Sequence, residues 1–146
     1  MATMKKVEIQ ATMGSDMKIE CSAGQHTVLI DQPKTGGGTD TGPTSLEHLF
    51  CSLAGCIGSI ARIAAYQKKI ALRGMEVTVS GNLDVETLLG KAKENRAGFG
   101  GITVRVKIDA DLTDAEKAEF LKEVDERCPV SDNLKQLTTV TTEMVG

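Results

Sequence analysis

Neither a Cys-x-x-Cys nor a His-Glu-x-x-His pattern occurs in the 146 residues, and His26 and His48 are the only imidazoles. Ligands at the spacing of a zinc site are therefore missing, and no metal or other cofactor is expected. The run Gly36-Gly37-Gly38 is not followed by the Lys-Ser or Lys-Thr pair of a phosphate loop, which argues against a nucleotide site and leaves a flexible connection. Nor is there a basic stripe. With a formal net charge of -3 the chain lacks the footprint needed to neutralise phosphates, so no nucleic-acid partner is expected. No signal-peptide apolar stretch precedes the first polar and apolar alternation, which points to the cytoplasm. The one long apolar run, 49–66, carries Arg62 and has no flanking anchors, so it reads as a buried helix and not as a membrane span.

What remains is an ordinary folded composition, 40% hydrophobic and 25% charged, which calls for a packed core. The length suits one domain, 1–146. Four cysteines are present, Cys21, Cys51, Cys56 and Cys128, and in a cytosolic protein they are expected to be reduced unless they are catalytic or redox-sensing.

Residues 5–12 and 17–22 alternate with strand periodicity, and Thr27 to Ile30 repeats the pattern after Ala23-Gly24, so a three-stranded antiparallel meander is expected. A loop over 32–43 contains Pro33, Gly42 and Pro43 besides the glycine run. From 44 to about 70 apolar residues recur at three and four residue spacings, predicting the main helix, capped by Thr44 or Ser45 and with Glu47 in its first turn. Between 51 and 61 the opposite face is also small or apolar, which suits close contact on all sides. Strands are predicted at 75–85 and 101–112, with a mobile connection between them that includes a helical turn at Leu88-Leu89. Thr113 and Glu116 form a capping-box pattern opening a second helix with Ala118, Leu121 and Val124 on one face. Pro129 opens a third helix to about Gln136, and 137–145 reads as a last strand. With no βαβ alternation and no repeat, the class is α+β.

Cys56 lies on the apolar stripe of the main helix with Leu49, Leu53, Ile57 and Ile60, and taken alone it reads as a packed thiol. Cys128 precedes Pro129 and so stands beside a helix N-cap, where free N–H groups and the dipole predict a lowered pKa, with a packed thiol as the equal alternative. Cys51 is about 140° around the helix from Cys56, at about 100° per residue. It is therefore a poor partner for it, as is Cys21 in its strand.

The stretches Gly42-Pro43-Thr44-Ser45-Leu46-Glu47-His48-Leu49-Phe50, Leu53-Ala54-Gly55-Cys56 and Cys128-Pro129-Val130-Ser131 resemble the OsmC/Ohr family, and the order of elements agrees over nearly the whole chain. The resemblance implies a two-layer α+β fold, an antiparallel sheet with a long central helix, in which two chains form an intertwined homodimer. It also implies thiol-dependent reduction of organic hydroperoxides, with Cys56 peroxidatic, Cys128 resolving and a dithiol as reductant. Family members that reduce peroxides carry an arginine in the N-terminal strands or the loop after them, and a glutamate ten residues before the first cysteine. Here no arginine precedes Arg62, and the glutamate's position is Leu46. Glu47, one residue later, is the acidic candidate for the site, and Lys18, Lys34 or a group of the partner chain is left to supply the cation. The alternative is a non-catalytic, stress-associated dimer that binds an apolar small molecule in a cleft at the helix interface.

Overall fold

A computed structural model describes residues 1–146. The chain gathers into two compact units, Met1–Leu49 and Phe50–Gly146. The first holds strands β1 (Gln10–Met13), β2 (Ile19–Ala23) and β3 (His26–Ile30), paired antiparallel in the order β1-β2-β3. The meander predicted from alternation is present. The β2–β3 turn has two residues, and Gly24 takes φ +61 in its first position, as a II′ hairpin turn requires. Strand β1 is shorter than predicted, because Gln10 already pairs with Ser22 and β2 turns away after Ala23. Residues 5–9 therefore have no ladder partner, and Val7 and Ile9 stay exposed.

The loop after β3 is tied down, which corrects the expectation of a flexible connection. Asp31 is buried, and its carboxylate accepts bonds from the backbone of Gln32, Thr39 and Thr41 and from both threonine hydroxyls. These bonds hold the carboxyl well below its ordinary pKa, the Thr41 hydroxyl first and the Thr41 and Gln32 N–H groups next, against the opposing effect of burial. Glycine is required at 38 by close approach, since a Cβ there would lie 2.1 Å from the Gln32 carbonyl oxygen.

Helix α1 (Ser45–Lys68) starts in the first unit and continues into the second. Thr44 caps it. The Glu47 N–H donates to the Thr44 hydroxyl at 3.2 Å, while the Thr44 N–H and hydroxyl donate to the Glu47 carboxylate at 3.1 and 2.9 Å.

In the second unit, β4 (Leu72–Gly81) and β5 (Ile102–Ala110) form a two-stranded antiparallel sheet with a register shift between Leu72 and Gly74. The connection between them, expected to be mobile, is organised by Asp84. That residue caps the short α2 (Val85–Leu88) through the Glu86 N–H and accepts from the Asn95 amide at 2.8 Å. Next come α3 (Asp114–Arg127) and α4 (Pro129–Lys135). The core joins Leu53, Ile57, Ala61, Ala64 and Ala65 of α1 with Leu72, Ile108 and Ala110 of the sheet and Phe120 and Val124 of α3. On α3 the buried stripe runs through Phe120 and Val124 with Leu121 half-buried beside it, whereas Ala118, expected on that face, is exposed.

Thr113 and Glu116 form the full reciprocal capping box at the start of α3. Thr113→Ala is expected to lower the unfolding free energy by about 1 kcal/mol. The measurement is a lower urea midpoint at unchanged m-value.

The predicted last strand is not formed. Residues 137–145 carry no regular element, and Leu137, Val140 and Val145 lie exposed. Threonine and valine favour a strand only where a neighbouring strand offers a ladder and a surface to pack on, and β4 and β5 pair only with each other.

Candidate functional site

α1 buries one face. Leu53, Ile57, Ala61 and Ala65 follow each other at four-residue spacing, and Cys56 sits beside this stripe, half-buried and packed on the core. On α3, Phe120, Val124 and Cys128 repeat the same spacing and complete the core from the other side. Ion pairing at the helix ends fixes their mutual position. Lys68 of α1 meets Glu123 of α3 at 2.8 Å, and the Arg127 guanidinium donates to the Gln67 side chain at 3.0 Å.

This packing brings Cys128 against Cys56. Cys128 is fully buried, and Cys56, packed against the same core, is its neighbour. It also stands at a corner of the backbone, since it is the C-cap of α3 and the N-cap of α4 with extended φ −80 and ψ 111. The N-cap placement read from Pro129 is present, for the Ser131 N–H donates to the Cys128 sulfur at 3.4 Å.

The expected consequence is reversed, however. Burial raises the Cys128 pKa, the neighbouring Cys56 thiol raises it further, and the N–H groups of Ser131 and Val130 do not offset these effects. An N-cap lowers a thiol pKa when water can still reach the sulfur, and here it cannot. At neutral pH Cys128 is therefore a neutral thiol.

Glu47 belongs to the cap of α1. Both of its carboxylate bonds come from Thr44, and they hold it below its ordinary pKa, helped by the charge of His48 and opposed by burial. His48 reaches the Leu29 carbonyl oxygen through Nε2 at 3.1 Å. Arg62 donates to the Leu72 carbonyl oxygen at 2.6 Å. A cleft of about 370 Å³ at the β1–β2 hairpin is lined by Thr12, Met13, Gly14, Asp16, Lys18 and Glu20. Its polar, charged wall is unlike an apolar substrate pocket, and neither Cys56 nor Cys128 lines it.

Sequence reasoning missed the surroundings of Cys128. The Ser131 hydroxyl donates to the Asp125 carboxylate at 2.6 Å, and Lys135 pairs with the same carboxylate. Ser131 had one local signal, because it lies three residues after an N-cap, where its N–H must find an acceptor. Asp125 had none.

Two cysteines packed in one core of an α+β chain, one on a long helix and one at a helix corner, define a cysteine-pair protein. The family to which it belongs follows from comparison. The model of the OsmC-like protein family matches residues 37–143, a span holding both cysteines, and the chain belongs to that family. The fold is shared with an OsmC like protein from Mycoplasma pneumoniae, 24% identical, with a TM-score of 0.79 over 91% of this chain and 89% of that one. An organic hydroperoxide resistance protein OsmC from Legionella pneumophila is 21% identical, with a TM-score of 0.67 over 92% of each chain. An organic hydroperoxide resistance protein from Elizabethkingia anophelis is 19% identical, with a TM-score of 0.63 over 94% of this chain and 93% of that one. At these identities the likeness carries the fold. No curated protein matches the sequence significantly.

Proposed function

We propose that this chain reduces organic hydroperoxides with a dithiol as the final reductant, working in the cytoplasm as a homodimer. The observation that carries the reading is the packing of Cys56 beside Cys128 in one core, two residues far apart in sequence and brought together only by the fold. Three of the structural neighbours are named for organic hydroperoxide resistance, in line with this chemistry.

In the first step the Cys56 sulfur attacks the peroxide, the O–O bond breaks, Cys56 becomes a sulfenic acid and the alcohol leaves. Cys128 then attacks the Cys56 sulfur. An S–S bond forms, the S–OH bond breaks, and the Cys128 proton leaves with the hydroxide as water. A neutral Cys128 suits the second step, because it carries the proton that the leaving group needs. A dithiol restores the pair by two exchanges, itself ending as a disulfide.

The homodimer accounts for α1, which leaves Cys51, Gly55, Ser59, Ile63 and Tyr66 exposed along the face away from the core of its own unit. A second copy covering this apolar and small-residue face would also bring groups to Cys56 that one chain does not supply, a cation among them. Glu47 enters as the cap that fixes the start of α1.

The test is a thiol count. Of the four thiols in the reduced chain, two are expected to disappear on treatment with one equivalent of cumene hydroperoxide and to return with a dithiol. Four thiols remaining after treatment would reject the proposal in favour of an apolar-ligand-binding dimer.

A further inference from the structure

Besides Asp31, Ser131 is the only polar residue that the fold buries, and it stands next to the sulfur pair. A buried hydroxyl costs stability unless it is bonded, and an alanine would fill most of this space without that cost. The Ser131 hydroxyl is bonded, to Asp125 at 2.6 Å. The contact joins the last turn of α3 to the first turn of α4, and Lys135, at the far end of α4, pairs with the other oxygen of the same carboxylate. Asp125 thereby clamps α4 at two points, while its own carbonyl oxygen accepts the Cys128 N–H at 3.3 Å. The residue between the two helices is Cys128 itself. The direction of its thiol depends on the angle between α3 and α4, and the clamp fixes that angle.

We propose that Asp125 and Ser131 are positioning residues that hold the Cys128 thiol against Cys56, so that the pair closes readily into a disulfide. The proposal rests on the dithiol reading of the site but not on peroxide being the oxidant. Closure within one chain is favoured by the effective concentration of one thiol at the other, and loosening the α3–α4 corner spreads Cys128 over more positions and lowers it. The Ser131 N–H survives in Ser131→Ala, so that variant removes the inner point of the clamp without removing the bond to sulfur.

The experiment equilibrates the full chain with mixtures of oxidised and reduced dithiothreitol and counts free thiols by mass after acid quench. In the exchange two protein thiols give up two protons and two electrons to the reagent disulfide, one protein S–S bond forms and the reagent is released as a dithiol. Ser131→Ala is expected to lower the closure constant about tenfold, which is about 30 mV for a two-electron couple. Asp125→Ala lowers it further. Lys135→Met, at the exposed outer end where folding is not at risk, lowers it by a smaller factor. Thr113→Ala, which weakens α3 away from the clamp, lowers stability and leaves the closure constant unchanged.

Equal closure constants in wild type, Ser131→Ala and Lys135→Met would overturn the proposal, as would a wild-type pair that never closes. Closure with dithiothreitol but no thiol loss with cumene hydroperoxide would reject the peroxide reading and leave the clamp standing. Thiol loss with peroxide at equal closure constants would do the reverse.

Discussion

Cys56→Ser is expected to abolish catalytic hydroperoxide consumption, a loss on the order of 10³-fold or more, because a serine hydroxyl is far less acidic and less nucleophilic toward the O–O bond than a thiol. Cys128→Ser is expected to behave differently. Its Cys56 can still take one oxygen atom from a peroxide, but no second sulfur then closes on the sulfenic acid. Consumption stops after one equivalent per chain, the product is trapped by dimedone, and excess peroxide drives it on to sulfinic acid. Stopped-flow consumption of cumene hydroperoxide with intact-mass analysis separates the two variants. Turnover that persists in Cys56→Ser would remove the helix thiol from the mechanism. A Cys128→Ser protein that turns over with a monothiol reductant would show that closure is not required.

The largest effect on stability is expected at Asp31. Its two oxygens accept five hydrogen bonds, from the N–H groups of Gln32, Thr39 and Thr41 and the hydroxyls of Thr39 and Thr41, at 2.6 to 3.3 Å. Asp31→Ala leaves these donors without an acceptor in a loop packed so closely that a Cβ at Gly38 or Gly42 would collide with the Gln32 or Leu29 carbonyl oxygen. A fall in Tm on the order of 10 °C is expected by circular dichroism.

The same carboxylate predicts the direction of acid sensitivity. Its folded pKa lies below the unfolded value of about 3.9, so its stabilisation is complete above that value and is lost as the pH falls toward the folded pKa. Wild type should therefore lose stability between about pH 4 and pH 2 more steeply than Asp31→Asn, which carries no titratable group there. Parallel pH profiles for the two proteins would show that the Asp31 charge is not what holds the loop.

Much of this architecture was legible without coordinates because its signals are local. The capping box at Thr113 and Glu116, the proline at the first position of α4, the three and four residue spacing of α1 and the turn at Gly24 each depend on a few consecutive residues, and each is found in place. The misses share a cause. Residues 5–9 and 137–145 have strand composition, but whether a strand forms depends on a ladder partner, and pairing is decided elsewhere in the chain. The loop at 32–43 looked mobile from its glycines. It is ordered because one aspartate, outside the glycine run, gathers the donors of two threonines.

The cysteine pair shows the same division at the site. The order of amino acids established α1 as a helix with Cys56 on its apolar side, α4 as a helix capped at Cys128, and the family through motifs within 37–143. Those are matters of backbone propensity and spacing, which act over a turn or two. Packing decided that the two cysteines share one core, that Cys128 is dry and keeps its proton although it sits at an N-cap, and that Asp125, Ser131 and Lys135 brace the corner between two helices. Burial outweighs the local dipole because water no longer reaches the sulfur, and exclusion of water is a property of the assembled core.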